Sequence, residues 1–113
     1  MKLEICANSY QSAVNAQKSG ADRVELCAEL SLGGITPSYG VLEKVFKEIT
    51  IPVNVLIRPR SGDFCYTDDE FEIMKQDLKR CKKLGFNGIV SGVLNKNNSI
   101  DIDFGIFIKG LIL

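Results

Sequence analysis

The sequence contains no histidine and no tryptophan. Without histidine, the commonest general base and the commonest metal ligand are both missing. Any acid–base or metal chemistry therefore falls to carboxylates, thiols and arginines. An excess of one charge is missing too. Lys plus Arg and Asp plus Glu number 14 each, so the formal net charge is +0, and no net field draws the chain to nucleic acid or an anionic membrane. No run of about 18 apolar residues occurs, so a spanning helix is not expected. The apolar stretch 105–113 is short and is broken by Lys109. Lys2 and Glu4 interrupt any apolar core near the start, so a secretory signal is not expected either. The cysteines Cys6, Cys27, Cys65 and Cys81 form no C-x-x-C pair, which argues against a thioredoxin-type motif or a zinc knuckle. The cytoplasm is then the expected compartment, where disulfides are rare.

What is present is a regular alternation of strand and helix signals. Leu3–Cys6 reads as a short strand. Ser9 can cap a helix running to about Lys18, with Gly20 just past its end. Arg23–Cys27 reads as a second strand. After Gly33 and Gly34, Thr36 is placed to cap a helix with Pro37 in its first turn. Val41, Leu42, Val45, Phe46 and Ile49 form the apolar face of that helix. Val53–Ile57 is β-branched and nearly all apolar, as a parallel strand covered on both faces should be. Thr67 and Glu70 have capping-box spacing. Phe71, Met74, Leu78, Cys81 and Leu84 then share one helical face, and Gly85 ends it. Residues 88–93 read as a fourth strand. A polar turn leads from there to Asp101 and a last apolar segment, expected to be helical.

Repeated βα units imply an α/β fold with a parallel sheet. An eight-unit barrel takes roughly 250 residues, about 31 per unit, so these 113 residues supply about half of one. The strand pattern favours the barrel over an open doubly wound sheet. Glu4 and Cys6 share one strand face, and Glu25 and Cys27 repeat the E-x-C signature 21 residues later. An open sheet would bury such carboxylates under helices at high cost. A barrel turns them into its lumen, whose C-terminal rim is the usual place for chemistry.

Three sets of residues are candidates for that chemistry. Glu4 and Glu25 offer an acidic pair for binding or acid–base work, or carboxylates held structurally by Arg23 or Arg58. Cys6 and Cys27, at the ends of neighbouring strands, can grip one soft ion such as Cu(I), or can be small core residues. Arg58, Arg60 and Asp63 follow the third strand. Two guanidinium groups there suit a carboxylate or phosphate, unless Asp63 neutralises one of them in a surface loop. Cys81 lies on an apolar helix face and reads as core, and Cys65 reads as an exposed loop thiol.

Four motifs in order are more specific than any single one: 3–6 (LEIC), 20–27 (GADRVELC), 33–38 (GGITPS) and 57–64 (IRPRSGDF). Together they resemble the successive signature blocks of the CutC copper-homeostasis family. Residues 88–94 and Ile100-Asp101 resemble its next blocks, so the likeness covers residues 1 to about 104. Ser61 stands where the family usually has glycine, and Ser91 where a large apolar residue is common.

The resemblance implies a cytoplasmic TIM-type (β/α)8 barrel linked to copper. Residues 1–113 would form its N-terminal half, ending after about four βα units. It also implies copper ligands at Cys6 and Cys27. An alternative reading is a barrel enzyme acting on a small anionic metabolite, with Glu4 and Glu25 as acid–base groups and Arg58, Arg60 and Asp63 at the anion. A third is an inactive fragment. A half barrel exposes two strand edges and an apolar face, so a homo-oligomer is expected. The expected ligands are thus a copper ion or a small anion, with no nucleic acid and no membrane.

Overall fold

The structure, a computed structural model, describes residues 1–105. Four strands, β1 (Glu4–Ala7), β2 (Arg23–Leu26), β3 (Val53–Leu56) and β4 (Gly88–Val90), alternate with three helices, α1 (Tyr10–Lys18), α2 (Tyr39–Glu48) and α3 (Asp68–Leu84). A single 3-10 turn, Leu30–Leu32, lies between β2 and α2. All neighbouring strands pair in parallel, in the order β1-β2-β3-β4. A doubly wound sheet reverses its strand order to place helices on both faces. Strictly sequential order is instead the arrangement of a TIM-type barrel, and burial agrees, because among the described residues only one face of the sheet is fully covered.

The helices begin and end for local reasons. Ser9 caps α1, its hydroxyl accepting from the Ser12 N–H at 3.0 Å. Gly20 follows with φ +89, in the left-handed region that glycine adopts freely. Both halves of the capping box on α3 are formed by Thr67 and Glu70. Asp68, Asp69 and Glu70 in its first turn and Lys82 and Lys83 in its last complement the helix dipole. The start of α2 differs from expectation. Ser38, not Thr36, is the N-cap, and Pro37 lies outside the helix. The Thr36 hydroxyl is taken by the segment after β3 instead: it donates to the Arg58 carbonyl at 3.1 Å and accepts the Arg58 N–H at 2.8 Å. A tertiary hydrogen bond has thus displaced a local cap by two residues.

The buried layer lies between sheet and helices. Ala7, Val24, Leu26, Val55 and Ile57 point into it from the strands. Ala13 and Ala16 of α1, Leu42 and Val45 of α2, and Met74, Leu78 and Cys81 of α3 meet them. The small alanines let α1 lie close to the sheet. β3 is not covered on both faces among the described residues. Val55 is buried, but the alternate positions Asn54 and Leu56 are only half-buried. β4 is shorter than expected; at Ser91 the hydroxyl donates to the Ile57 carbonyl at 3.0 Å. Residues 102–105 are helical, and the rest of the last apolar segment lies outside the described residues. No helix among the described residues is long and apolar enough to cross a membrane.

Candidate functional site

Strand register decides which polar groups meet. Cys6 lies opposite Glu25, Glu25 opposite Asn54, and Asn54 opposite Gly88. One step toward the N-terminal end, Glu4 lies opposite Arg23. One step the other way, period two carries Cys27 onto the same face as Leu56 and Val90. All these positions point away from the helix-covered core. Glu4, Cys6, Glu25 and Cys27 therefore do share a face, but the two cysteines are diagonal neighbours rather than opposite. Glu25 is the direct partner of Cys6, and their side chains approach to 4.0 Å.

Each carboxylate has its own surroundings. Glu4 pairs with the Arg23 guanidinium and accepts from the Asn54 amide at 3.5 Å. Among the described residues Glu25 has no such cation. Removal from water raises its carboxyl pKa, and the charge of Glu4 and a hydrogen bond with Glu4 raise it further. Both thiols are raised as well. For Cys6 the causes are burial, then Glu25, then Glu4. For Cys27 they are burial, then Cys6, then Glu25. Cys6 is exposed and Cys27 is buried. Resting thiols here are protonated, and a metal that binds them must displace protons. Among the described residues no group of three or more His, Cys, Asp or Glu side chains is placed to hold a metal. What the face offers is a pair of soft sulfur donors.

The arginines after β3 are engaged by the protein itself. Arg58 is 8% exposed. Its Nη1 donates to the carbonyls of Leu32 (3.0 Å) and Gly34 (2.9 Å), and its Nη2 to that of Gly62 (2.8 Å). Phe64 stacks on the guanidinium at 4.9 Å. Among the described residues, the Arg58 Nε and the buried Tyr66 hydroxyl have no hydrogen-bond partner of normal geometry. Arg60 pairs with Glu70 and Asp63 and donates to the carbonyls of Asp63 and Cys65. That set ties the 61–65 loop to the first turn of α3. Glu70 is held below the usual carboxylate range, first by the Arg60 hydrogen bond and then by the Thr67 N–H. Cys65 is half-buried rather than exposed, and Cys81 is core.

Comparison with known proteins adds a family to this geometry. The CutC family model matches residues 1–108. The chain belongs to the CutC family. A CutC family protein from Klebsiella pneumoniae is 52% identical over 100 residues, covering 88% of this chain and 40% of that protein. A solved structure from Streptococcus agalactiae, named as a copper homeostasis protein CutC, superposes with a TM-score of 0.88 at 38% identity. The match covers 99% of this chain and 55% of that one. The chain thus spans only about half the length of its CutC relatives. A phosphonomutase structure from Burkholderia cenocepacia is similar at TM-score 0.62 and 16% identity, over 98% of this chain and 46% of that one, a likeness of fold alone.

Sequence reading overlooked Asn54 and Tyr66. Asn54 carried a signal, because it is the one polar side chain in an otherwise apolar strand. Its contact with Glu4, fifty positions away, carried none.

Proposed function

We propose that this CutC-family chain serves copper homeostasis in the cytoplasm by holding Cu(I) between Cys6 and Cys27. The observation that supports this is the placement of two thiols on the sheet face turned away from the helices, in β1 and just after β2, near enough for Cys6 to raise the Cys27 thiol. Thiolate sulfur is a soft donor and suits Cu(I). A two-sulfur site needs no third ligand for this ion, which agrees with the donor set present. The name of the Streptococcus relative points the same way. The Cu(I) would be cargo, and the protein residues would hold it, exclude hard oxygen-seeking ions and release two thiol protons.

The test is a Cu(I) titration of the reduced chain against a competing chelator, with molecular mass read by light scattering in the same samples. We expect about one ion per chain, lost in Cys6→Ser and in Cys27→Ser. A folded chain that leaves Cu(I) on the chelator overturns the reading.

A second reading has one observation in its favour. Glu25, raised beside the ion-paired Glu4, resembles the acid partner of an acid–base pair. The anion of such a substrate would then need donors other than Arg58 and Arg60, which already serve loop carbonyls and carboxylates. Stabilisation of the chain by an added phosphate or dicarboxylate, kept in Glu25→Gln, would support it, and no stabilisation would count against it.

A further inference from the structure

Of the two thiols on the uncovered face, Cys27 is the buried one, and a loop buries it. After β2 the chain turns back on itself. Ala28 and Ile35 pair antiparallel through hydrogen bonds of 2.9 and 2.8 Å. Between them Glu29, Gly33 and Gly34 have φ values of 50°, 86° and 92°. Gly34 rests directly on the site. A Cβ built there would lie 3.5 Å from the Cys27 sulfur and 2.9 Å from Leu56 Cδ2. Only glycine lets this strap descend so far.

Burial does not hold the strap down. Leu30 and Leu32, its large apolar side chains, are 47% and 51% exposed. Arg58 holds it, through the carbonyls of Leu32 and Gly34, while bracing itself on Gly62 of the next loop. The fit is close, since a Cβ on Gly33 would come within 2.9 Å of Arg58 Nη1. No carboxylate among the described residues pairs with this buried guanidinium. A cation buried against carbonyls and an aromatic ring, with no carboxylate beside it, is costly, and an apolar side chain would fill the space at lower cost. What arginine adds is a simultaneous hold on two loops. Segments fixed by a few hydrogen bonds with little apolar burial are those that open locally.

We infer that Arg58 is a latch holding the 29–34 strap over Cys27, and that release of this latch sets how often the Cys27 thiol meets solvent. Cys6 is accessible with the strap down, whereas Cys27 is accessible only with it raised. On the copper reading above, an ion would land on Cys6 first and reach Cys27 when the strap lifts. The latch itself does not depend on that reading.

Thiol accessibility tests the latch without any metal. The reduced chain is pulsed with an alkylating reagent, and each cysteine is followed by peptide mapping, with core Cys81 reporting global opening. In the wild-type chain Cys6 reacts fast and Cys27 slowly. In Arg58→Ala the Cys27 rate rises at least about tenfold, the least that loss of one charged hydrogen bond gives, while Cys81 is unchanged. Gly34→Ala lifts the strap with Arg58 intact, and the same result is expected if Arg58→Ala does not fold. The latch is overturned if Cys27 matches Cys6 in the wild-type chain. It is also overturned if neither variant exposes Cys27, or if Cys27 and Cys81 speed up together. Failure of Cu(I) binding with a Cys27 that responds as described would remove the copper reading and leave the latch.

Discussion

Leu26 and Leu56 are the same residue type on neighbouring strands, and they point to opposite faces of one sheet. Leu26 is fully buried under the helices, flanked by Val24 and Val55, which are also 0% exposed. Truncation to alanine there leaves a cavity walled by packed sheet and helix, with little room to collapse. Such Leu→Ala changes cost about 2–5 kcal/mol, and we expect about 3 kcal/mol here. Leu56 is half-buried on the uncovered face, with Gly34 as a close neighbour. Partial burial of the deleted carbons gives about 1 kcal/mol. A domain of this size has a stability of roughly 6–17 kcal/mol, so Leu26→Ala removes a large share and Leu56→Ala a small one. The assay is urea unfolding of both variants, read as midpoint shifts with the slope unchanged. Equal losses would refute the assignment of one covered and one uncovered face, and with it the exposure of the site. A Leu56→Ala loss that grows with protein concentration would show a second copy covering that face.

Two further predictions concern ionisation. Glu70 is lowered below 4.5 by Arg60 and the capping box. Its contribution is present above the unfolded value and is lost as pH falls through the folded one. The stability gap between wild type and Glu70→Gln should therefore shrink as pH drops below about 4.5, and a gap that stays constant would sink the assignment. Cys81 is raised from 9.0 to about 11 by burial, with Asp77 adding to it. The folded state favours its protonated form, so this contribution is present below pH 9.0 and is lost as pH rises through about 11. Alkylation of Cys81 should stay negligible until that range, and rapid reaction near pH 9.0 would contradict its burial.

The sequence by itself determined the βα alternation, because strand and helix periodicity, caps and glycines are local signals. Ser9, the Thr67–Glu70 box and Gly85 act within a few residues of themselves, so their roles could be read directly. Parity along each strand likewise placed Glu4 with Cys6 and Glu25 with Cys27. Parity does not give the offset between strands, and only the tertiary structure decided that Cys6 faces Glu25 and meets Cys27 on a diagonal. The same holds for Thr36, whose local preference to cap α2 lost to hydrogen bonds with Arg58, 22 positions away in the segment after β3. The two arginines after β3 read as donors for an anion or as partners of Asp63, and folding brought backbone carbonyls and Glu70 within their reach as well. A guanidinium meets whatever acceptors the fold assembles around it, and those acceptors come from segments that sequence spacing cannot bring together.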